Sequence, residues 1–155
     1  MAVLAPHRVT KLVLVGSAAT SYNETLVDLA RAISSLSDPV DLEFVREFQT
    51  SCVYRHVPEA VIDQAVRESM KLPARVWKSV IEGLIEPPFT AESAIRCPTF
   101  VFWGDQDSVF NRADQDHLLR RIQTATLRVF HDVGHTPHWE VPRDFANELI
   151  NVLRL

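Results

Sequence analysis

The chain has no long apolar stretch that could span a membrane. No apolar run approaches the ~20 residues of a transmembrane helix. The N-terminus, MAVLAPHRVTK, has no apolar core long enough for a signal peptide. There are only two cysteines, Cys52 and Cys97, and their separation matches no metal-binding or redox spacing. These absences predict a cytoplasmic protein with two reduced thiols and no membrane association.

Concentrated positive charge is also absent. The 16 Lys and Arg residues are spread along the chain and outnumbered by 20 Asp and Glu, which gives a net charge of -4. Without a basic patch interleaved with aromatic residues, binding to nucleic acid is not expected. The sequence has no repeats or low-complexity segment. Its 155 residues, 46% of them hydrophobic, suit one domain with an ordinary core.

Three short runs predict strands of a parallel sheet. They are LVLV, FVFW and LRVF, at residues 12–15, 100–103 and 127–130. The first two are continuously apolar, as expected for strands covered on both faces. Helical spacing over 111–123, capped by Asn111, and over 142–153 completes a strand–helix–strand–helix order.

The segment between the first two strands is predicted to be helical. Its amphipathic stretches cover residues 23–36, 42–48, 58–70 and 73–84, and Pro87-Pro88 closes it. A connection of about seventy residues is far longer than two strands of one sheet usually need. This favours a lid inserted into a sheet protein. Packing of the same helices on the sheet as part of its core is the alternative.

Two of the three predicted strand ends carry groups suited to proton transfer. The second strand leads into residues 104–107, GDQD, and the third into residues 131–135, HDVGH. Ligands of open parallel sheets bind at the carboxyl ends of the strands, and neighbouring strands place these loops side by side. A carboxylate beside an imidazole fixes its tautomer and stabilises the imidazolium. Either Asp105 or Asp107 could instead be a turn residue, since aspartate is common in turns.

At these loops the sequence resembles the α/β-hydrolases. The matching segments are KLVLVGS, PTFVFWGDQD and VGHTPHWEVPRDF, at residues 11–17, 98–107 and 133–145. In that family an acid follows strand seven in a Gly-x-x-Asp turn, and a Gly-His after strand eight supplies the base. The resemblance therefore implies that Asp107 is the acid and His135 the base of a catalytic triad, with no cofactor.

The resemblance also implies an architecture. It is an α/β fold with a short parallel sheet of about three strands, flanking helices and a helical lid insertion, a partial α/β-hydrolase fold. Residues 1–20 and 93–155 would form the C-terminal part of the core, and residues 21–92 the lid. Some relatives place the acid after strand six, but here that loop, GSAATSYN, has no carboxylate before Glu24, which supports Asp107.

The three histidines near the C-terminus raise a metal site as another possibility. His131, His135 and His138 have the spacing that would align them on one helix face. Gly134 and Pro137 lie among them, however, and proline inside a helix costs ~3 kcal/mol. We therefore expect no metal here, with His131 a surface or packing residue and His138 a structural one.

Glycine is too scarce for one further motif of the family. The nucleophile of these hydrolases sits in Gly-x-Ser-x-Gly. The chain has four glycines, Gly16, Gly83, Gly104 and Gly134, and no two are four positions apart. The resemblance implies that the chain starts just after the nucleophile, whose identity, serine or aspartate, stays open.

Two classes of function follow. In the first, the chain is the C-terminal portion of a hydrolase for an ester or similar small apolar substrate, and it supplies the acid and base but is inactive alone. In the second, it is a non-catalytic binding or interaction domain derived from that fold. Candidate lid residues for an apolar substrate pocket are Phe44, Phe48, Trp77 and Val80, with lid core as their alternative role.

The first strand raises the question of partners. By the family's strand order its neighbour on one side lies outside this chain, so residues 12–15 would form an open edge. Natural proteins cover such edges. We therefore expect a homo-oligomer or docking on an N-terminal hydrolase half. The alternative is that the residues before Thr10 fold back over the edge.

Overall fold

A three-stranded parallel sheet forms the centre of the structure, a computed structural model that describes residues 1–20, 22–85 and 92–154. The strands are β1 (Leu12–Val15), β2 (Thr99–Gly104) and β3 (Ala125–Phe130), in the order β1-β2-β3. Each predicted strand is present. β2 and β3 are longer than the apolar runs because their polar ends, such as Thr99, continue the ladder. The predicted α/β class and the short parallel sheet are confirmed.

Seven α-helices lie in the described part of the chain. They are α1 (Glu24–Ser34), α2 (Leu42–Ser51), α3 (Glu59–Ser69), α4 (Ala74–Ile85), α5 (Arg112–Arg121), α6 (Pro137–Glu140) and α7 (Pro142–Arg154). Side-chain caps fix several starts. Asn111 caps α5, as expected from the sequence, and the structure adds a capping box with Asp114. Asp41 accepts hydrogen bonds from two amides of α2.

Alternate residues of the strands build two apolar layers, one on each face of the sheet. On one face Val101 packs with Leu118 and Ile122 from the end of α5. On the other face Phe102 packs with Phe145 and Val152 of α7. Because β2 is covered on both faces, all six of its residues are buried.

Helices α1 to α4 have an apolar cluster of their own. Its buried members include Ile33, Val45 and Trp77, and α1 packs on α4 while α2 packs on α3. Phe110, which follows β2, joins this cluster from the sheet side. The predicted end of the segment at Pro87-Pro88 lies outside the described residues. Among the residues that are described, no helix is long and apolar enough to cross a membrane.

β1 lies at the edge of the sheet. In the described ranges it pairs with β2 alone, and its four residues are only half-buried. Ala2 and Val3 pack beside Leu12 on one face of the sheet. These N-terminal residues therefore cover a face at β1, and within the described ranges the ladder of β1 continues on the β2 side only.

Candidate active site

Asp107 and His135 meet where β2 and β3 end. Oδ2 of Asp107 lies 2.9 Å from Nδ1 of His135. The Asp107 side chain is 1% exposed and the His135 side chain 23%, so Asp107 is buried while His135 reaches the surface of a cavity. The structure thus brings together the two residues that the resemblance selected. The contact engages Nδ1 of His135, so Nε2 is the ring nitrogen that does not face Asp107.

Backbone amides hold the Asp107 carboxylate in place. Its Oδ1 accepts hydrogen bonds from the amides of Val109 and Phe110, at 2.8 and 3.0 Å. Its own amide donates to the carbonyl of Gly104 at 3.1 Å. With one oxygen on the turn and the other on His135, the carboxylate has a single orientation. A buried carboxylate that is hydrogen-bonded at both oxygens suits the task of orienting an imidazole.

The His135 ring is packed against the end of β1. Gly16 has a φ of 51°, and a Cβ at that position would lie 2.9 Å from Cε1 of His135 and 2.9 Å from its carbonyl oxygen. On another side the ring lies 5.8 Å, centroid to centroid, from Phe110. Glycine is therefore favoured at position 16 by both its backbone conformation and the close approach of His135.

A second aspartate–histidine pair lies beside the first. Nδ1 of His131 lies 2.9 Å from Oδ2 of Asp105, and Oδ1 of Asp105 accepts a hydrogen bond from the amide of Asp132. Burial acts to raise the pKa of the Asp105 carboxyl, but these hydrogen bonds outweigh it and the pKa is lowered. The His131 side chain is 81% exposed, so this pair faces solvent rather than a cavity.

The sequence did not predict the pairing of Asp105 with His131: Asp105 was expected as a possible turn residue and His131 as a surface or packing residue. The signal that could have found it is the register of the sheet. Gly104 and Phe130 are partners in the ladder, so the residues that follow them, Asp105 and His131, leave the sheet side by side.

A largely apolar cavity of about 570 Å³ opens beside His135. Of the four predicted liners, Phe48, Trp77 and Val80 line it. Phe44 packs edge-on against the Trp77 ring at 5.8 Å and is not among the lining residues in the described part of the chain. Phe44 therefore supports the position of Trp77 from behind the cavity wall.

Cys52 also lines the cavity, and its thiol is not activated. Burial raises the pKa of the Cys52 thiol, a hydrogen bond with Ser51 opposes the shift, and the negative charge of Asp107 raises the pKa further. Nucleophilic cysteines need a lowered pKa. The thiol therefore stays protonated near neutral pH.

The three C-terminal histidines occupy separate environments. His131 and His135 bond different aspartates, while His138 packs against Trp139 and Phe145. Burial, followed by the charge of His135, lowers the pKa of His138, and Glu140 opposes the shift. The described residues contain no group of three or more metal-ligating side chains arranged for an ion.

Comparison with known proteins identifies the fold. No family model matches the sequence. Lipase 3 from Moraxella sp. (strain TA144) is 27% identical over 90 residues, covering 58% of this chain and 29% of the lipase. A monoacylglycerol lipase from Mus musculus is 32% identical over 59 residues, which is 38% of this chain and 18% of that protein.

Solved structures cover more of the chain. An esterase from Exiguobacterium antarcticum superposes with a TM-score of 0.82 at 16% identity, over 95% of this chain and 58% of the esterase. A 2-hydroxy-6-oxo-6-phenylhexa-2,4-dienoate hydrolase from Rhodococcus sp. strain RHA1 superposes with a TM-score of 0.72 at 25% identity, over 99% of this chain and 58% of the hydrolase. The matched part of each of these proteins is thus less than two thirds of its length. The chain has the fold of the α/β-hydrolase superfamily and corresponds to the C-terminal portion of that fold.

Proposed function

We propose that this chain supplies the acid and the base of a lipase- or esterase-type hydrolase, and that the nucleophile comes from residues outside this sequence. The observation that carries the proposal is the 2.9 Å contact between the buried Asp107 carboxylate and His135 at the edge of an apolar cavity. The lipases and esterases among the similar proteins support an ester as the substrate.

In this proposal His135 moves the proton. Its Nε2 takes the proton of the nucleophile's hydroxyl as the oxygen bonds to the ester carbonyl carbon. The same proton then goes to the alkoxide that leaves when the ester C–O bond breaks. A water molecule then attacks the acyl carbonyl carbon while His135 takes its proton. That proton passes to the nucleophile's oxygen as its bond to the acyl group breaks, and the carboxylic acid product is released. Asp107 keeps Nδ1 protonated and stabilises the imidazolium in each half of the cycle.

The cavity suits the apolar part of such an ester. Most of its apolar walls come from side chains of α1, α2 and α4, with Phe48 and Trp77 in edge-to-face contact at 5.3 Å, and Val109 and Phe110 after β2 complete them on the sheet side. Residues 21–92 would act as a cap over residues 1–20 and 93–155. The edge of β1 would be covered by an N-terminal hydrolase half or by a second copy of the chain.

The test is complementation with a protein fragment that carries the nucleophile. The chain would be mixed with the N-terminal part of the Exiguobacterium antarcticum esterase, complex formation checked by size exclusion, and 4-nitrophenyl butyrate hydrolysis measured. We expect no saturable hydrolysis by the chain alone and saturable hydrolysis by the complex.

The two aspartate–histidine pairs provide a matched control for that test. His135→Ala should abolish hydrolysis by the complex, while His131→Ala should leave it within about threefold, because only His135 borders the cavity. Hydrolysis that survives His135→Ala, or a chain that hydrolyses the ester alone, would contradict the proposal.

A further inference from the structure

The carboxylate of Glu140 binds two separate segments of the backbone. Glu140 ends α6 and is 9% exposed. The amide of Gly134 donates to both of its oxygens, at 2.9 and 3.0 Å, and its Oε2 also accepts from the amides of Tyr54 and Arg55, at 3.0 and 2.7 Å. Three N–H groups thus surround one buried carboxylate, which compensates for its loss of water.

The two bound segments have distinct roles. Gly134 precedes His135, whereas Tyr54 and Arg55 belong to the connection between α2 and α3. Since Glu140 holds both, it ties the backbone of the base to the helices whose side chains line the cavity.

Further contacts join the same two segments. The amide of His135 donates to the carbonyl of Cys52 at 3.1 Å. The guanidinium of Arg55 donates to the carbonyls of Asp132 and His131, at 2.6 and 3.2 Å. These bonds flank the Glu140 carboxylate, so the loop of the base is held along its length.

The approach of the segments is too close for a side chain at position 134. A Cβ on Gly134 would lie 2.7 Å from the amide nitrogen of Tyr54 and 2.9 Å from Oε1 of Glu140. The amide that Glu140 holds is one residue from the His135 ring. A small displacement there would move Nδ1 away from Asp107.

We propose that Glu140 is a positioning residue for His135, a role that rests on the proposed function. Glu140 keeps Nδ1 of His135 on the Asp107 carboxylate and links that pair to α2. Because Phe48 of α2 lines the cavity and Cys52 at the end of α2 accepts from the His135 amide, this link joins the cavity wall to the base.

The experiment uses the full chain and the Nδ1 proton of His135. This proton gives a low-field proton NMR signal, assigned by its disappearance in His135→Ala. Its exchange with solvent is compared in the unsubstituted chain, Glu140→Gln, Glu140→Ala and a control, Glu148→Gln. Glu148 is an acidic residue of α7 that pairs with Arg128 of β3 at 2.7 Å.

We expect exchange of this proton to be at least about tenfold faster in Glu140→Gln, because an amide group offers one acceptor oxygen where the carboxylate offers two. In Glu140→Ala it should be faster still, and in Glu148→Gln it should stay within about twofold. Glu140→Gln keeps the side-chain volume, so it gives the result even if Glu140→Ala does not fold.

One result would overturn the positioning role alone. In Glu140→Gln the amides of Tyr54 and Arg55 would exchange faster while the His135 ring proton kept its exchange rate, which would make Glu140 a purely structural residue. Absence of the ring signal from the unsubstituted chain would instead contradict the Asp107–His135 hydrogen bond. Both the proposed function and this inference would then be wrong.

Discussion

Replacing Gly16 by alanine should destabilise the chain, whereas the same replacement at Gly83 should stabilise it. At position 16 the backbone has a φ of 51°, and the new Cβ would lie 2.9 Å from two atoms of His135. A left-handed conformation costs an L-residue about 1–2 kcal/mol. A clash that forces neighbouring atoms apart costs about 1–3 kcal/mol more. The loss in free energy of unfolding should therefore be about 2–5 kcal/mol.

Gly83 provides the matched control. It lies in α4, and a Cβ there meets no atom within 4 Å in the described part of the chain. Alanine in a helix is favoured over glycine by about 1 kcal/mol, so Gly83→Ala should raise the free energy of unfolding by that amount.

Urea unfolding followed by circular dichroism measures both variants against the unsubstituted chain. Gly16→Ala should lower the urea concentration at the midpoint of unfolding and Gly83→Ala should raise it. The dependence of the free energy of unfolding on urea concentration should be similar in all three proteins. A Gly16→Ala variant as stable as the unsubstituted chain would refute the conclusion that the end of β1 closes directly on the His135 ring.

Three further predictions concern the site and the sheet edge. Asp107→Asn keeps an acceptor for the turn but places an N–H beside Nδ1 of His135. Nitrogen NMR should therefore show that the ring proton has moved to Nε2, and an unchanged tautomer would argue against the Asp107–His135 pair. Burial, and then the charge of Asp107, raise the pKa of the Cys52 thiol, so its alkylation by iodoacetamide should reach half its maximal rate above the pH typical of free thiols. A half-maximal rate at or below that pH would contradict the raised pKa. Light scattering should give a mass above that of one chain because β1 pairs on one side; a cooperative 17.6 kDa species would mean that the edge is covered within the chain.

The sheet was predictable because each strand contains a short, mainly apolar run, which is continuous in β1 and β2. Residues 12–15 and 100–103 are continuous apolar runs of the kind found in parallel sheets; β2 is buried throughout, whereas β1, at the edge, is only half-buried. The ends of β2 and β3 were less predictable, since residues such as Thr99 join the ladder through backbone bonds rather than through an apolar side chain.

The site was predictable in part. The resemblance gave Asp107 and His135, but spacing alone left Asp105 and Asp107 open as partners. In the structure Asp107 contacts His135, whereas Asp105 leaves the sheet beside His131 and contacts that residue. The contribution of Glu140 could not be predicted, since its partners are backbone amides that carry no sequence signal.

The central claim is that Asp107, rather than Asp105, serves the catalytic base. The most direct measurement is kcat/KM for 4-nitrophenyl butyrate in the complemented complex, compared between Asp107→Asn and Asp105→Asn. We predict a loss of about 10⁴-fold for Asp107→Asn, the effect of holding the base in the wrong tautomer, and a change within about threefold for Asp105→Asn. Equal losses, or a larger loss for Asp105→Asn, would contradict the account.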